Sequence, residues 1–317
     1  MTCYHPLMAL RMKNVLSKSG SPVVKVLGSF DSQNPNYMRF DTDSWLTGEY
    51  DRTLYERIVV PCGHCVGCRL KRSRDWALRC MCEASLYKEN CFVTITYDDE
   101  HLTGDRISLS LDDVQKFIKR VRKKFSERKV RVFYCGEYGS KNNRPHFHII
   151  FFNLQFEDKV LWSIRNGVCL YRSPTLEALW QFGFSTVGEV TFDSAAYVAR
   201  YTLKKSQTDL REFEAEDLKP PFVNMSRRPG IGHDWLVNNV DQVYPNDFIV
   251  SFDKKLKLKP SRYFDSIYDV QDPDGMNLIR ESRKESSLLH IDSKGRLWDR
   301  EQCKEYQLKQ LPRHVDI

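Results

Sequence analysis

The most regular hydrophobic pattern in the chain covers residues 144–152, where apolar side chains are interrupted only by His146 and His148 after the opening Arg144 and Pro145. A short apolar run that is bounded by proline and asparagine indicates a buried strand rather than a helix. Because side chains alternate across a strand, the two histidines share one face.

A second apolar run, residues 130–139, precedes the first and contains Glu137. The Gly, Ser and Asn residues at 139–143 indicate a turn between the two runs, so a hairpin would set Glu137 beside the histidine pair. Two imidazoles and a carboxylate suit a divalent cation that keeps open positions for a phosphate oxygen. A lone histidine on an apolar strand is more often an ordinary core or surface residue, so this metal site depends on Glu137.

The remaining periodic segments predict an α+β fold, in which an antiparallel sheet of the ferredoxin-like kind is flanked by helices. We expect an N-terminal Cys-rich extension over residues 1–88, a core over 89–206 and a basic C-terminal extension over 207–317. Residues 1–60 predict loops and short strands. The core and its approach contain helices at 69–87, from Ser110 to 125, at 175–182 and from Asp193, with strands at 91–97 and 184–190.

The C-terminal third has a different pattern. Residues 205–221 are charged and end in proline, which is typical of a linker or exposed loop. Residues 248–259 alternate apolar and basic positions like a strand with a cationic face, and the polar tail after Gln271 predicts a partly ordered helix. Residues 227–232 form a basic turn whose glycines would let backbone amides approach a phosphate. No Gly-Lys-Ser/Thr pattern occurs, so an ATPase motor is not encoded.

Composition adds a partner and a compartment. The chain has 317 residues, 41% of them hydrophobic, and a formal charge of +7 that is concentrated in basic runs. Such runs favour a polyanionic partner, although each alone is more often a solvated face. No segment is long and apolar enough for a membrane span or a signal-peptide core, so we expect a protein of the cytoplasm. A reducing compartment would leave the 10 cysteines without disulfides.

Three of these cysteines are each separated by two residues, with glycines between them: Cys62, Cys65 and Cys68. A structural zinc ion needs four tetrahedral ligands, and Cys3 is the candidate for the fourth, with His5 and His64 as substitutes. Free thiols remain the ordinary alternative, and an iron-sulfur cluster also uses closely spaced cysteines.

A tyrosine pair forms the third candidate for chemistry. Tyr197 and Tyr201 are four residues apart on a predicted helix and would lie side by side on one face. Arg200 and Lys204 each follow a tyrosine by three residues, where a cation would lower the pKa of a phenol or neutralise a phosphate. A pair of aromatic residues with this spacing is more commonly part of an amphipathic core.

Taken together, these motifs resemble the HUH endonucleases, which include rolling-circle replication initiators and relaxases, and most of all the initiators of microviruses of the gokushovirus branch. The resemblance extends from Cys3 to Leu236 and rests on the cysteine cluster with its basic helix, residues 92–102, 136–139 and 144–152, the Tyr-Val-Ala-Arg-Tyr segment and the Arg-Pro-Gly-Ile-Gly turn. It implies an HUH core in which Glu137, His146 and His148 bind Mg²⁺ or Mn²⁺.

The resemblance also implies catalysis by tyrosine. Tyr201 with Lys204 fits the family's Tyr-x-x-Lys pattern, whereas Tyr197 has Arg200 in place of the lysine. The implied reaction is a transesterification that nicks single-stranded DNA at an origin, leaves a 5′-phosphotyrosine and later rejoins the strand. Basic residues that we expect to contact DNA are Arg69, Arg72, Arg200, Lys205, Arg227 and Arg228.

The implied setting is the cytoplasm of a bacterial host, with a host helicase and other replication proteins as partners. Two alternatives remain open from the residues alone. One is a zinc-containing DNA-binding protein without catalysis. The other is a hydrolytic nuclease in which water attacks and the tyrosines belong to the core. A structural or capsid role would leave the histidine hairpin unexplained.

Overall fold

The computed structural model describes residues 3–17, 22–29, 53–139, 143–165, 167–200, 213, 217–244, 246–251, 257–288 and 294–310. These residues fall into two compact units. The described parts of Met1–Lys71 and Ser287–Leu311 form the first unit, and those of Arg72–Ser286 belong to the second. The units follow compactness alone, so the three functional segments expected from the sequence stay a prediction.

The first unit contains a three-stranded antiparallel sheet in the order β2-β1-β3. Its strands are β1 (Leu7–Leu16), β2 (Pro22–Ser29) and β3 (Tyr55–Val60). The sequence predicted only short strands here, but β1 has 10 residues. Helix α1 (Val66–Ala84) begins in this unit, and α8 (Lys294–Gln310) lies within it.

The second unit is built on a seven-stranded sheet in the order β10-β5-β6-β4-β9-β8-β7, in which every pair is antiparallel. The α+β class with a large antiparallel sheet is therefore confirmed. The β7–β8 hairpin was not foreseen, because its side chains do not alternate clearly between apolar and polar. The strands are β4 (Asn90–Tyr97), β5 (Arg131–Tyr138), β6 (Pro145–Phe152), β7 (Val160–Arg165), β8 (Val168–Arg172), β9 (Gly183–Gly188) and β10 (Phe222–Met225).

Helices cover both faces of this sheet. Helices α2 (Leu111–Lys124) and α3 (Pro174–Leu179) pack on the face that carries Phe147 and Ile149. Helix α4 (Phe192–Arg200) and the second half of α1 pack on the opposite face. The sheet is buried on both sides, which explains why β6 has a nearly continuous apolar sequence.

Helix α2 shows how the sequence determines an element. The Ser110 side chain accepts a hydrogen bond from the backbone N–H of Asp113 and caps the helix, as expected. Val114, Phe117, Ile118 and Val121 are buried on one face. Each such side chain contributes roughly 1.5–3 kcal/mol when it leaves water.

The C-terminal part of the second unit contains α5 (His233–Val243), α6 (Arg262–Gln271) and most of α7 (Pro273–Leu288). The strand expected over residues 248–259 is wrong. Two short strands, β11 (Ile249–Val250) and β12 (Lys257–Leu258), pair antiparallel, so the chain reverses between them. In the described part of the chain, no helix is long and apolar enough to cross a membrane.

Candidate metal centre and tyrosine

The three expected metal ligands lie together at one end of a sheet face. Glu137 on β5 is directly opposite His146 on β6, and His148 lies two residues further along the same face. Oε1 of Glu137 is 3.1 Å from Nε2 of His146 and 2.8 Å from Nε2 of His148. The three possible ligand atoms all lie within 4.8 Å of one another. The hairpin that the sequence predicted thus produces the expected cluster.

Access to the cluster differs between its members. The side chains of His148 and Glu137 are 0% and 2% exposed, whereas that of His146 is 16% exposed. Phe92 stacks against the His148 ring, with 5.5 Å between ring centroids. Solvent and ligands therefore approach the cluster from the side of His146.

Hydrogen bonds on the outer ring nitrogens orient both imidazoles. Nδ1 of His146 lies 3.1 Å from the carbonyl oxygen of Arg144, which can only accept, so Nδ1 donates. In the neutral ring, the lone pair of Nε2 then faces the Glu137 carboxylate. Nδ1 of His148 lies 2.9 Å from Oγ1 of Thr94, and a proton there likewise leaves a lone pair on Nε2 facing the cluster.

Nε2 of His148 is buried and has no hydrogen-bond partner among the described residues. It lies 2.8 Å from the Glu137 carboxylate, but this contact does not have the direction of a hydrogen bond. A proton between His146 and Glu137 would leave this nitrogen unsatisfied, whereas a cation at the cluster would satisfy both rings. An orphaned buried nitrogen and a Glu-His-His donor set therefore fit a divalent metal ion.

The protonation states also suit a metal ligand set. Burial alone would raise the pKa of Glu137, but contacts with His146 and His148 outweigh burial and lower that pKa to about 2. Burial lowers the pKa of His148, more than the nearby carboxylate raises it. At neutral pH, Glu137 is charged and His148 is neutral, which are the forms that bind metals.

Tyr197 extends from α4 into this cluster. Its hydroxyl donates a hydrogen bond of 3.1 Å to Oε1 of Glu137, and its ring meets the His148 ring edge to face at 5.1 Å between centroids. Ala195, Val198 and Ala199 of α4 are buried against the sheet and fix the helix there. Tyr197 therefore lies at the metal cluster and not only in an apolar core.

The other predicted residues of the tyrosine segment cannot be placed. Tyr201, Lys204 and Lys205 lie outside the described residues, as does the side chain of Arg200. Their predicted roles stay predictions.

Four arginines expected to contact DNA are exposed: Arg69, Arg72, Arg227 and Arg228. A neighbouring arginine of α1 is different, since Arg79 is only 8% exposed. It lies between the rings of Trp76 and Tyr263, at 4.1 and 4.0 Å from their centroids, and its Nε donates to the Ile231 carbonyl at 3.0 Å. The expectation that Arg79 lies on the outer face of the helix is wrong, because α5 and α6 pack there.

The glycine turn at residues 227–232 also differs from the expectation. The amide of Gly230 donates to the Tyr263 hydroxyl at 3.0 Å, and the amide of Gly232 donates to Oε2 of Glu83 at 2.7 Å. Protein groups therefore occupy the two amides that the sequence assigned to a phosphate.

The cysteine motif forms a second cluster, in the first unit. Cys3, Cys62, Cys65 and Cys68 place their sulfur atoms within 4.8 Å of one another. The two substitute ligands lie elsewhere. Nε2 of His5 is 2.5 Å from the Glu301 carboxylate, and His64 is exposed.

Sequence reasoning missed Thr94 as the partner of His148. The available signal was the alternation of residues 91–97, which puts Thr94 and Thr96 on one face of β4. Its meaning depends on the pairing of β4 with β6, in which Thr94 lies opposite His148.

Comparison with known proteins agrees with these features. The family model for the replication-associated protein ORF2 matches residues 90–206. The chain is 39% identical over 238 residues to the replication-associated protein ORF2 of Spiroplasma virus 4, covering 71% of this chain and 73% of that protein. The chain belongs to this family of replication-associated proteins. The motif resemblance to microvirus-type phage proteins is thereby confirmed.

Two further members of the family are similar over shorter lengths. The replication-associated protein VP4 of Bdellovibrio phage phiMH2K is 36% identical over 201 residues, or 61% of this chain and 62% of that protein. The replication-associated protein ORF4 of Chlamydia phage 1 is 39% identical over 175 residues, or 52% of this chain and 42% of that protein. No solved structure matches the chain significantly.

Proposed function

We propose that this replication-associated protein is a rolling-circle initiator, which nicks single-stranded DNA at an origin by tyrosine transesterification and later rejoins the strand. Family membership supports a role in replication. The observation that carries the chemistry is the 3.1 Å hydrogen bond from the Tyr197 hydroxyl to Glu137, because it puts a potential nucleophile at the metal-ligand cluster.

Glu137, His146 and His148 would hold the ion. Mg²⁺ or Mn²⁺ bound there supplies Lewis acidity to the scissile phosphate and spreads the charge of the transition state. The two imidazoles favour Mn²⁺ more than an all-oxygen site would. Thr94 and the Arg144 carbonyl keep the two rings turned towards the cluster.

The tyrosine carries the covalent step. The phenol loses its proton as its oxygen bonds to phosphorus, and the departing 3′ oxygen gains a proton and becomes a 3′-hydroxyl. The 5′-phosphate stays attached to the tyrosine, so the energy of the bond is kept for rejoining, which is the reverse exchange. Tyr201, with Lys204 three residues later, is the second candidate nucleophile, and two tyrosines would allow a second cut after one round of replication.

The basic surface would bind the strand through its phosphates, with an affinity that falls as salt rises. Exposed Arg69, Arg72, Arg227 and Arg228 are the described candidates, with Arg200 and Lys205. Because the chain encodes no ATPase motor, unwinding needs a host helicase, and the protein acts inside the host cell with the host replication proteins.

The test is incubation of the purified chain with Mn²⁺ and an internally labelled single-stranded circle of its own genome, followed by denaturing electrophoresis. Wild type, Tyr197→Phe and Tyr201→Phe are compared. Tyr306→Phe is the matched control, because this tyrosine is 66% exposed on α8. A sample with excess EDTA replaces the metal.

We expect the label to migrate with the wild-type protein and the Tyr306→Phe control, and to be lost with EDTA and with at least one of the other two variants. Cut DNA without an adduct would favour the hydrolytic nuclease. DNA binding without cutting in Mn²⁺ would favour a protein that only binds DNA. Either result would overturn the proposal.

A further inference from the structure

The cysteine cluster of the first unit carries an inference that is independent of catalysis. We propose that Cys3, Cys62, Cys65 and Cys68 hold one structural zinc ion as a closed four-thiolate site. The argument rests on sulfur geometry, on the amides around the sulfurs and on the way the chain brings the four residues together.

The distances between sulfur atoms match a single tetrahedral ion. Four sulfurs bound at about 2.3 Å to one zinc lie about 3.8 Å apart. The Sγ atom of Cys3 is 3.6 Å from that of Cys62 and 3.9 Å from that of Cys65, and Cys62 is 4.0 Å from Cys68.

These distances exclude the other chemistry of grouped cysteines. They are too long for a disulfide, whose sulfurs are about 2.05 Å apart, and all ten cysteines are free thiols. A four-iron cluster binds each thiolate to a different iron and would hold the sulfurs further apart than one ion does.

Backbone amides surround the cluster as they do around metal thiolates. The N–H groups of His64 and Cys65 point to the Cys62 sulfur at 3.4 and 3.3 Å, and that of Cys62 points to the Cys3 sulfur at 3.2 Å. The Tyr4 N–H points to the Cys65 sulfur at 3.3 Å. A neutral thiol is a weak acceptor, so four aligned donors favour anionic sulfur.

The local sequence produces this geometry. Gly63 has a φ of +82°, which a side chain rarely tolerates, and it turns the chain between Cys62 and Cys65. Cys68 is one turn beyond Cys65 at the beginning of α1. Cys3 comes from the segment before β1, so the ion would join the N-terminal segment to the loop after β3 and to α1.

All four coordination positions are filled by protein, which is typical of a structural rather than a catalytic zinc ion. His5, two residues after Cys3, contacts Glu301 on α8 at 2.5 Å. Within the first unit, the ion would therefore fix the segment that also contacts α8. Removing zinc should loosen this segment.

The test is metal analysis by mass spectrometry, together with the absorption spectrum after exchange with Co²⁺, on the full chain. Variants are Cys65→Ser and Cys68→Ser. Cys303→Ser is the matched control, since this cysteine is exposed and outside the cluster. His148→Ala removes the other candidate metal site, which contains no sulfur and cannot give a thiolate-to-cobalt absorption band.

We expect one zinc ion per chain in wild type, in Cys303→Ser and in His148→Ala, and its loss in both cluster variants. The cobalt-exchanged wild type should show a thiolate charge-transfer band and the visible bands of tetrahedral cobalt. Iron in place of zinc, a disulfide within the cluster, or full zinc content in a soluble Cys65→Ser variant would overturn the proposal.

If the cluster variants do not fold, the wild-type chain decides the question. Titration with a mercurial reagent in the presence of a zinc-sensitive dye should release one zinc ion as the cluster thiols react. Release of no zinc would overturn the proposal. Neither outcome depends on nicking activity, so failure of the zinc site and failure of the proposed function are distinguishable.

Discussion

The hydroxyl of Tyr197 binds the same carboxylate oxygen of Glu137 that lies 2.8 Å from Nε2 of His148. These residues come from a helix and from two strands, and Tyr197 and Glu137 are 60 positions apart in the chain. The oxygen is therefore shared between the ligand cluster and the phenol, which allows the two functions to be separated by substitution.

The first prediction is that Tyr197→Phe retains metal binding. A single neutral hydrogen bond is worth about 0.5–1.5 kcal/mol, so the affinity for Mn²⁺ should change by at most about tenfold. Glu137→Gln removes a charged ligand and should reduce binding to the detection limit. Isothermal titration calorimetry with Mn²⁺ checks both variants. Similar affinity losses in the two would mean that Tyr197 is itself part of the ligand set.

The second prediction concerns Thr94. Thr94→Val keeps the shape of the side chain but removes the partner of His148 Nδ1, and loss of such a partner typically costs about 10–100-fold in metal affinity. Thr96→Val is the matched control, because Thr96 is on the same face of β4 opposite His146, whose Nδ1 is bound by the Arg144 carbonyl. Equal affinities in the two variants, measured by Mn²⁺ titration, would remove Thr94 from the site.

The ligand cluster was predictable from the sequence because it depends on local rules. The period of a strand puts His146 and His148 on one face, and a short turn brings Glu137 opposite His146. The roles of Thr94 and Tyr197 were harder to derive, because they depend on which strands pair and on how α4 packs. Spacing indicated that Tyr197 faces a site, but not that it contacts Glu137.

Long-range packing also explains the wrong predictions. The glycines at 230 and 232 suggested free amides, but Tyr263 and Glu83 satisfy them from distant elements. Arg79 has the spacing of an outer-face residue on α1, yet α5 and α6 cover that face. A single helix pattern shows one buried face, whereas α1 contacts both the sheet and the C-terminal helices.

The third prediction concerns the buried ion pair between Arg131 and Glu83, which are 3% and 1% exposed. Arg131 also donates to the carbonyl oxygens of Pro229 and Gly230 at 3.0 and 3.1 Å. Arg131→Met would leave the Glu83 charge buried without its partner and should lower the free energy of unfolding by about 3–5 kcal/mol.

The matched control for this prediction is Arg280→Met. Arg280 forms an ion pair with Asp269 at 2.7 Å, but its side chain is 49% exposed. An exposed pair contributes about 0–1 kcal/mol, so this variant should unfold like wild type in urea. Equal losses in the two variants would show that burial does not determine the cost.

The fourth prediction is a pH dependence at Asp158. Its side chain accepts from the Ser173 hydroxyl and, at 2.7 Å, from the Thr175 N–H at the beginning of α3. Slight burial raises the pKa of this carboxyl, but these hydrogen bonds outweigh it and lower the pKa. A lowered pKa in the folded state gives stability that is present above the unfolded value of about 3.9 and is lost as pH falls through the folded value.

Asp158→Asn should therefore destabilise the chain at pH 6 and approach wild-type stability in acid. Thermal unfolding from pH 6 to pH 3 measures the difference between the two melting temperatures. A difference that stays constant with pH would show that the charge of Asp158 does not stabilise α3.

The fifth prediction concerns Gly183, the first residue of β9. Its φ is +144°, and a Cβ atom there would lie closer than 3.0 Å to backbone atoms of Thr96, Tyr97 and Asp98. Gly183→Ala therefore combines an unfavourable backbone conformation with overlap that no side chain can relieve, and it should cost about 3 kcal/mol or more.

The strand end that Gly183 contacts also supports the metal cluster. The Tyr97 carbonyl accepts a hydrogen bond of 2.9 Å from Nη1 of Arg144, whose own carbonyl orients His146. Displacing Tyr97 should therefore weaken Mn²⁺ binding as well as stability. Gly295→Ala is the control, because a Cβ there meets nothing within 4 Å, and α8 should tolerate it within about 1 kcal/mol. Urea unfolding and Mn²⁺ titration measure the two effects, and unchanged affinity in a destabilised Gly183→Ala chain would show that the β9 junction does not position His146.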